Sequence, residues 1–325
     1  MNLHENKQAF SDAIVATANA LNIKRHFVEK DYWICRSLQQ MARTDVDHHA
    51  IFKGGTSLTK AYNIGSRFSE DIDVAIADAH LMSGNQVKTT IRRVAHGMTE
   101  GLTEVVKDTT SKGSHYHKAF YTYPTVSNIP TSSAVRAGEL LLEINSFANP
   151  YPWEMRTIRC FITEFLLQSG NEPLIAQFDM ADFDVPVLDY RRTLTEKVVS
   201  LLRCSLADAY IPQMNAKIRH FYDLHHLLQD EECNKYLHSD AFRTDFQQLF
   251  EHDRKSFSKP DGWLNRSLEE SPLITDLQTT WKQLQSTYLR ELPDLAYREI
   301  PAVEDVEHSL QLLLSCLITS YHSTK

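Results

Sequence analysis

Residues 52–76 read FKGGTSLTKAYNIGSRFSEDIDVAI. An apolar approach, IFK, predicts a short strand that runs into two glycines. SLTKAYN then predicts a helix, and Ser69 to Ala77 predicts the next strand. Along that strand the two-residue period sets Asp71 and Asp73 on one side and Ile72, Val74 and Ile76 on the other. A tight turn followed by a half-exposed strand explains these residues without any chemistry. A cleft for a metal-bound triphosphate explains them as well.

The turn and the carboxylates suit phosphate chemistry for separate reasons. Gly54 and Gly55 permit positive φ or close backbone approach. Thr56 and Ser57 can cap the next helix, whose free N–H groups and dipole favour a phosphate. Lys53 can add a charge beside that site. The spacing is not that of a P-loop, because GxxxxGK[ST] is absent. Asp71 and Asp73 can converge on one divalent ion or bridge two. Magnesium, with manganese as its substitute, takes carboxylate, phosphate and water oxygens.

A third carboxylate lies in GELLLEINSF, residues 138–147. Glu143 interrupts an apolar strand, where a charge is costly unless paired or metal-bound. If this strand lies beside the Asp strand, Asp71, Asp73 and Glu143 can meet. The alternatives are solvent or an arginine partner for Glu143. Later helices add charges: Lys197 in TLTEKVVSLLRCSLADAY, then Lys217, Arg219 and Asp223 in NAKIRHFYDLHHLLQD. Arg219 and Asp223 are spaced for an i,i+4 pair. Lys197 and Lys217 can neutralise a triphosphate if these helices fold over the carboxylates.

The bulk composition sets limits. With 325 residues, 42% of them apolar, the chain can bury a substantial core. No apolar run reaches the length of a bilayer span. Five scattered cysteines without a CxxC fit a reducing cytoplasm better than a disulfide scaffold. A net charge of −8 disfavours a uniformly basic coat for duplex binding but leaves room for a local basic groove. Arg92, Arg93, Lys107, Lys112 and Lys118 are candidate contacts to RNA, or ordinary surface charges.

Along the chain, KQAFSDAIVATANALN and VEKDYWICRSLQQMAR predict two opening helices. In the second, Glu29 and Asp31 near the start and Arg43 near the end suit the helix dipole. Tyr32 and Trp33 are assigned to packing. Residues 80 to about 113 read as mainly helical, and HKAFYTYPTV and GELLLEINSF as extended. FDMADFDVPVLDYRR reads as a Pro- and Asp-rich connection into helical sequence with breaks at KPDGW and ELPD. The expected fold is α+β: a small mixed-sheet core with N-terminal helices over residues 1–155, and a predominantly helical region over 156–325 that closes the cleft.

Taken together and in order, FKGGTSLTKAYNIGSRFSEDIDVAI, VEKDYWICRSL, LTEKVVSLL and KIRHFYDLHHLL resemble the AbiEii/AbiGii nucleotidyltransferase toxins, within the polymerase-beta-like nucleotidyltransferase superfamily. The resemblance spans about residues 27–228. It implies that Gly55 and Ser57 belong to a phosphate-binding turn, here with Thr56 between them. It also implies that Asp71 and Asp73 are metal ligands, that Glu143 is a third carboxylate, and that Lys197 and Asp223 are the main polar residues of the later motifs. The activity so implied is Mg²⁺-dependent transfer of a nucleoside monophosphate from an NTP to an RNA 3′-hydroxyl, with tRNA the leading acceptor. The setting so implied is the toxin of a toxin–antitoxin or phage-defence pair, with a separately encoded antitoxin. Phosphotransfer, a protein acceptor and a catalytically silent binding protein are the competing readings. The sequence does not specify an oligomeric state.

Overall fold

The protein is described by a computed structural model over residues 1–127 and 138–322. The strand carrying the aspartates, β2 (Asp71–Ile76), is central to the architecture. It pairs antiparallel with β1 (Ala50–Lys53), and Phe52 lies opposite Val74. On its other side it pairs parallel with β6 (Glu139–Asn145), setting Ile72 beside Leu142 and Val74 beside Ile144. These five apolar side chains are buried. Each contributes roughly 1.5–3 kcal/mol through removal from water. That burial fixes the register, because a one-residue slip would turn the aspartates inward.

The remaining strands are β3 (Thr103–Val105), β4 (Ser111–Lys112), β5 (Tyr116–Thr122), β7 (Trp153–Ile158) and β8 (Phe183–Leu188). The sheet order is β3-β5-β6-β2-β1-β8-β7, and β4 also pairs with β5. Parallel pairs (β2 with β6, β1 with β8) and antiparallel ones make it a mixed sheet. Helices α1 (Lys7–Leu21), α2 (Arg25–Thr44), α3 (Gly54–Ala61), α4 (Gly84–Met98), α5 (Phe161–Gln168) and α6 (Glu172–Gln177) belong to the same compact unit. It comprises Met1–Asn63 and Arg67–Asp189, so the sheet draws strands from both sides of residue 155. Asn6 caps α1 through Ala9 N–H, and Ser83 with Gln86 forms a capping box on α4.

The second unit contains Ile64–Ser66 and Tyr190–Lys325 and is largely helical. Its helices are α7 (Tyr190–Ser205), α8 (Tyr210–Asn215), α9 (Ile218–Gln229), α10 (Glu231–Leu237), α11 (Asp240–Ser256), α12 (Pro272–Thr275), α13 (Leu277–Leu295) and α14 (Val303–His322). Phe221 stacks on Trp281 with ring centroids 5.2 Å apart. Trp281 Nε1 donates to the Val303 carbonyl at 2.9 Å, and Tyr288 Oη to the Pro301 carbonyl at 3.0 Å. The aromatic core is thus buried with its polar atoms satisfied.

Three local expectations are corrected. The helix over 80–113 ends at Met98, and residues 103–105 and 111–112 form short strands against β5. The supposed connection 178–192 contains β8, because burial of Val185, Val187 and Leu188 outweighs the Pro and Asp signals beside them. Pro293 does not break the chain at ELPD. It lies in the last turn of α13, held by the fully buried Leu292 and Leu295.

Candidate active site

The glycine turn is shaped around the second aspartate. Gly54 opens α3 at φ +81°, a region that disfavours side chains. A Cβ there would collide with the Asp73 carboxylate, which therefore lies directly against the glycine Cα. At Gly55 a Cβ would come within 2.5 Å of Arg67 Nη2. The two glycines thus admit one carboxylate and one guanidinium to the first turn of a helix. The Thr56 hydroxyl donates to the Asp71 carbonyl at 2.5 Å, tying the helix to the strand. Ser57 is fully buried and donates to the Gly54 carbonyl at 2.8 Å. Its hydroxyl is turned onto the loop it was expected to line.

Asp71 and Asp73 share one face of β2, half-buried, while Ile72 and Val74 are buried on the other. In the sheet register, Lys53 lies opposite Asp73, Asp73 beside Glu143, and Glu143 opposite Lys118. Four neighbouring strands therefore carry the row Lys53, Asp73, Glu143, Lys118 on one face, with strands about 4.8 Å apart. Glu143 is directed to the β5 side: Oε1 meets Lys118 Nζ at 2.6 Å, and Oε2 accepts from Tyr116 Oη at 3.0 Å. Burial first, and then Glu143, push the Tyr116 phenol well above its ordinary range, so it donates. Among the described residues, no three or more His, Cys, Asp and Glu side chains are gathered closely enough to hold a metal. The register thus sets Glu143 beside Asp73, with its carboxylate engaged by Lys118 and Tyr116.

Sequence reasoning missed the contacts that hold this geometry. Lys30 of α2 is buried and pairs with buried Glu70 at 3.4 Å, immediately before β2. Its neighbour Asp31 pairs with Lys60 of α3 at 2.6 Å and accepts from Phe161 N–H at 2.7 Å. Burial is the largest influence and opposes the Lys60 charge, but Asp31, with Cys35 and Cys160 beside it, raises the lysine pKa overall. Glu29 accepts from Val126 N–H at 2.7 Å. Glu29 and Asp31 suit the helix dipole in sequence, yet they and Lys30 between them are all buried and partnered. A clue was available: three consecutive charges inside VEKDYWIC, where apolar residues flank them on both sides. Tyr32 and Trp33 pack as expected, Trp33 stacking on Tyr123.

In the second unit, Lys197 of α7 and Asp223 of α9 form a buried ion pair at 2.8 Å. Lys217 occupies the N-cap position of α9 without a side-chain capping bond, and Arg219 lies in the first turn; both are partly exposed. Ile64–Ser66, from within the opening signature, folds with this unit. Ser66 N–H donates to Tyr222 Oη at 2.8 Å, and Tyr297 N–H to the Ser66 carbonyl at 2.9 Å. Four of the candidate RNA-contacting cations are ion-paired: Arg93 with Asp45, Lys107 with Glu139, Lys112 with Glu104 and Lys118 with Glu143. None of the described helices is long and apolar enough to cross a membrane, and all five cysteines are free thiols.

Comparison with known proteins adds the following. Residues 36–309 match the family described as "Nucleotidyl transferase AbiEii toxin, Type IV TA system". No curated protein matches the chain significantly. Among solved structures, JHP933 from Helicobacter pylori is 17% identical, covering 91% of this chain and 97% of its own, with a TM-score of 0.39. A second H. pylori protein, described as a candidate nucleotidyltransferase, is 16% identical, covering 87% and 94%, with a TM-score of 0.36. At such scores these likenesses decide nothing about the site.

Proposed function

Since the chain belongs to the AbiEii family of nucleotidyltransferase toxins, we propose that it transfers a nucleoside monophosphate from an NTP to an RNA 3′-hydroxyl, releasing pyrophosphate, with tRNA the first acceptor to test. The observation that carries this reading is the Asp71–Asp73 pair set against a glycine helix start that has no room for a Cβ.

The donor set suits a hard divalent cation: two carboxylates on one strand face, leaving the rest of the shell to phosphate and water. Mg²⁺ held by Asp71 and Asp73 would offset the triphosphate charge and acidify the attacking hydroxyl. The N–H groups at the start of α3, with its dipole, bind phosphate oxygens. Gly55 and Ser57 keep that turn in shape, Ser57 through its bond to the Gly54 carbonyl. Lys53 adds positive charge beside Asp73. In this reading Lys197 supplies charge to the triphosphate, and Asp223 fixes its ammonium. Lys217 and Arg219 serve as further phosphate contacts. Biologically, the protein acts as the toxin of a type IV toxin–antitoxin pair whose antitoxin is a separate product.

The test is incubation of the protein and Mg²⁺ with each α-³²P-labelled NTP and total RNA. Label on a discrete RNA, lost with Asp71→Asn, is the expected result. Label on protein instead would replace the RNA acceptor with a protein one, and no label with any donor would overturn the reading.

A further inference from the structure

We propose that Lys118 is a built-in counter-cation for Glu143, held there by β5, and that it sets the divalent-cation affinity of the site by competing with the metal for the third carboxylate. The inference rests on the metal-dependent reading above and assigns to that site a positioning residue. Asp73 and Glu143 occupy paired positions on adjacent parallel strands. Two carboxylates side by side repel each other, and a nearby cation lowers the free energy of keeping both ionised. Lys118 does this from the far side of Glu143, at 2.6 Å, and Tyr116, two residues earlier on the same face of β5, holds the other oxygen. Both oxygens of Glu143 are thereby used within β5.

A divalent ion at Asp71 and Asp73 would do the same electrostatic work with twice the charge. It would gain Glu143 as a ligand at the expense of the Lys118 contact. The side chains of Lys118 and Glu143 are each about one quarter exposed, 26% and 25%, so the pair is only partly screened by solvent. Removing the ammonium leaves the carboxylate in need of a cation. Lys118 is therefore a brake on metal loading.

The experiment is Mn²⁺ binding to the full-length protein without nucleotide, read from the EPR signal of free Mn²⁺. Lys118→Met is expected to tighten binding roughly tenfold, as expected for loss of one competing charge. Lys118→Arg should stay within about twofold of wild type, because it retains the charge. Tyr116→Phe, which frees one oxygen only, should tighten binding by a smaller factor and stands in if Lys118→Met does not fold. The gain in Lys118→Met must vanish in the Lys118→Met/Glu143→Gln double variant. Unchanged or weaker binding in Lys118→Met would overturn the inference. So would a gain that survives the loss of Glu143, since that is a general charge effect. Asp71→Asn separates the two levels: if wild-type binding does not depend on Asp71, the metal site itself fails. If it does and Lys118→Met has no effect, only the role of Lys118 fails.

Discussion

At the scale of single residues, Gly54 is the position where backbone and chemistry meet. Its φ of +81° and its contact with Asp73 make two separate demands that only glycine satisfies. Gly54→Ala should therefore destabilise the protein by about 1–3 kcal/mol in urea denaturation and displace the Asp73 carboxylate, lowering turnover more than it lowers stability. An alanine variant with wild-type turnover would show that the close approach is incidental. Asp71→Asn and Asp73→Asn should cut turnover at least ~100-fold while leaving the unfolding midpoint within a few degrees. These residues were legible because period and spacing are local: the turn, the DxD face and the opposite apolar face follow from neighbours in sequence. The partner of Glu143 was not, because Lys118 meets it only through the β5–β6 register. HKAFYTYPTV and the charge in GELLLEINSF lacked the pairing that joins them.

At the scale of elements, helix α2 locks both halves of the signature. Lys30 reaches Glu70 ahead of β2, and Asp31 reaches Lys60 in α3. The lead-in helix and the glycine signature thus form one bonded assembly, which explains why charged residues stand in a helix buried over most of its length. In the second unit the corresponding element contact is Lys197 on α7 with Asp223 on α9. Lys197→Met should cost about 3–5 kcal/mol, because it breaks a buried ion pair. Adding Asp223→Leu should recover much of that stability without recovering nucleotidyl transfer. Calorimetry and product formation on the same samples separate the two effects. Full transfer by the double variant would reduce the pair to a structural role. Helices with strong periodicity were readable, but β8 was hidden: its short run of buried residues carries Pro and Asp, and its sheet pairing with β1 and β7 identifies it.

At the scale of the whole molecule, acid should weaken the fold through its histidines. Burial holds the imidazoles of His4, His26, His117 and His225 below the ordinary value of 6.5. The unfolded chain takes up those protons first, so stability is full above about 6.5 and is lost as pH falls through the lowered folded values. The unfolding midpoint should drop between pH 7.5 and 5.5, and His117→Leu should shrink that drop; an identical pH profile would contradict the assignment. The fold class was legible at this scale, a mixed sheet followed by helices, because the pattern changes character midway along the chain. The extent of the sheet was less so: β7 runs across residue 155 and β8 lies beyond it, and Ile64–Ser66 folds with the helical unit, both set by tertiary contacts. The central claim concerns which phosphorus moves, and one paired measurement addresses it. The protein, Mg²⁺ and RNA are incubated with an NTP labelled either at the α- or at the γ-phosphate. Transfer of the α label to RNA, with the γ label released as pyrophosphate, is the predicted result. Transfer of the γ label to the acceptor would contradict it and make the protein a phosphotransferase.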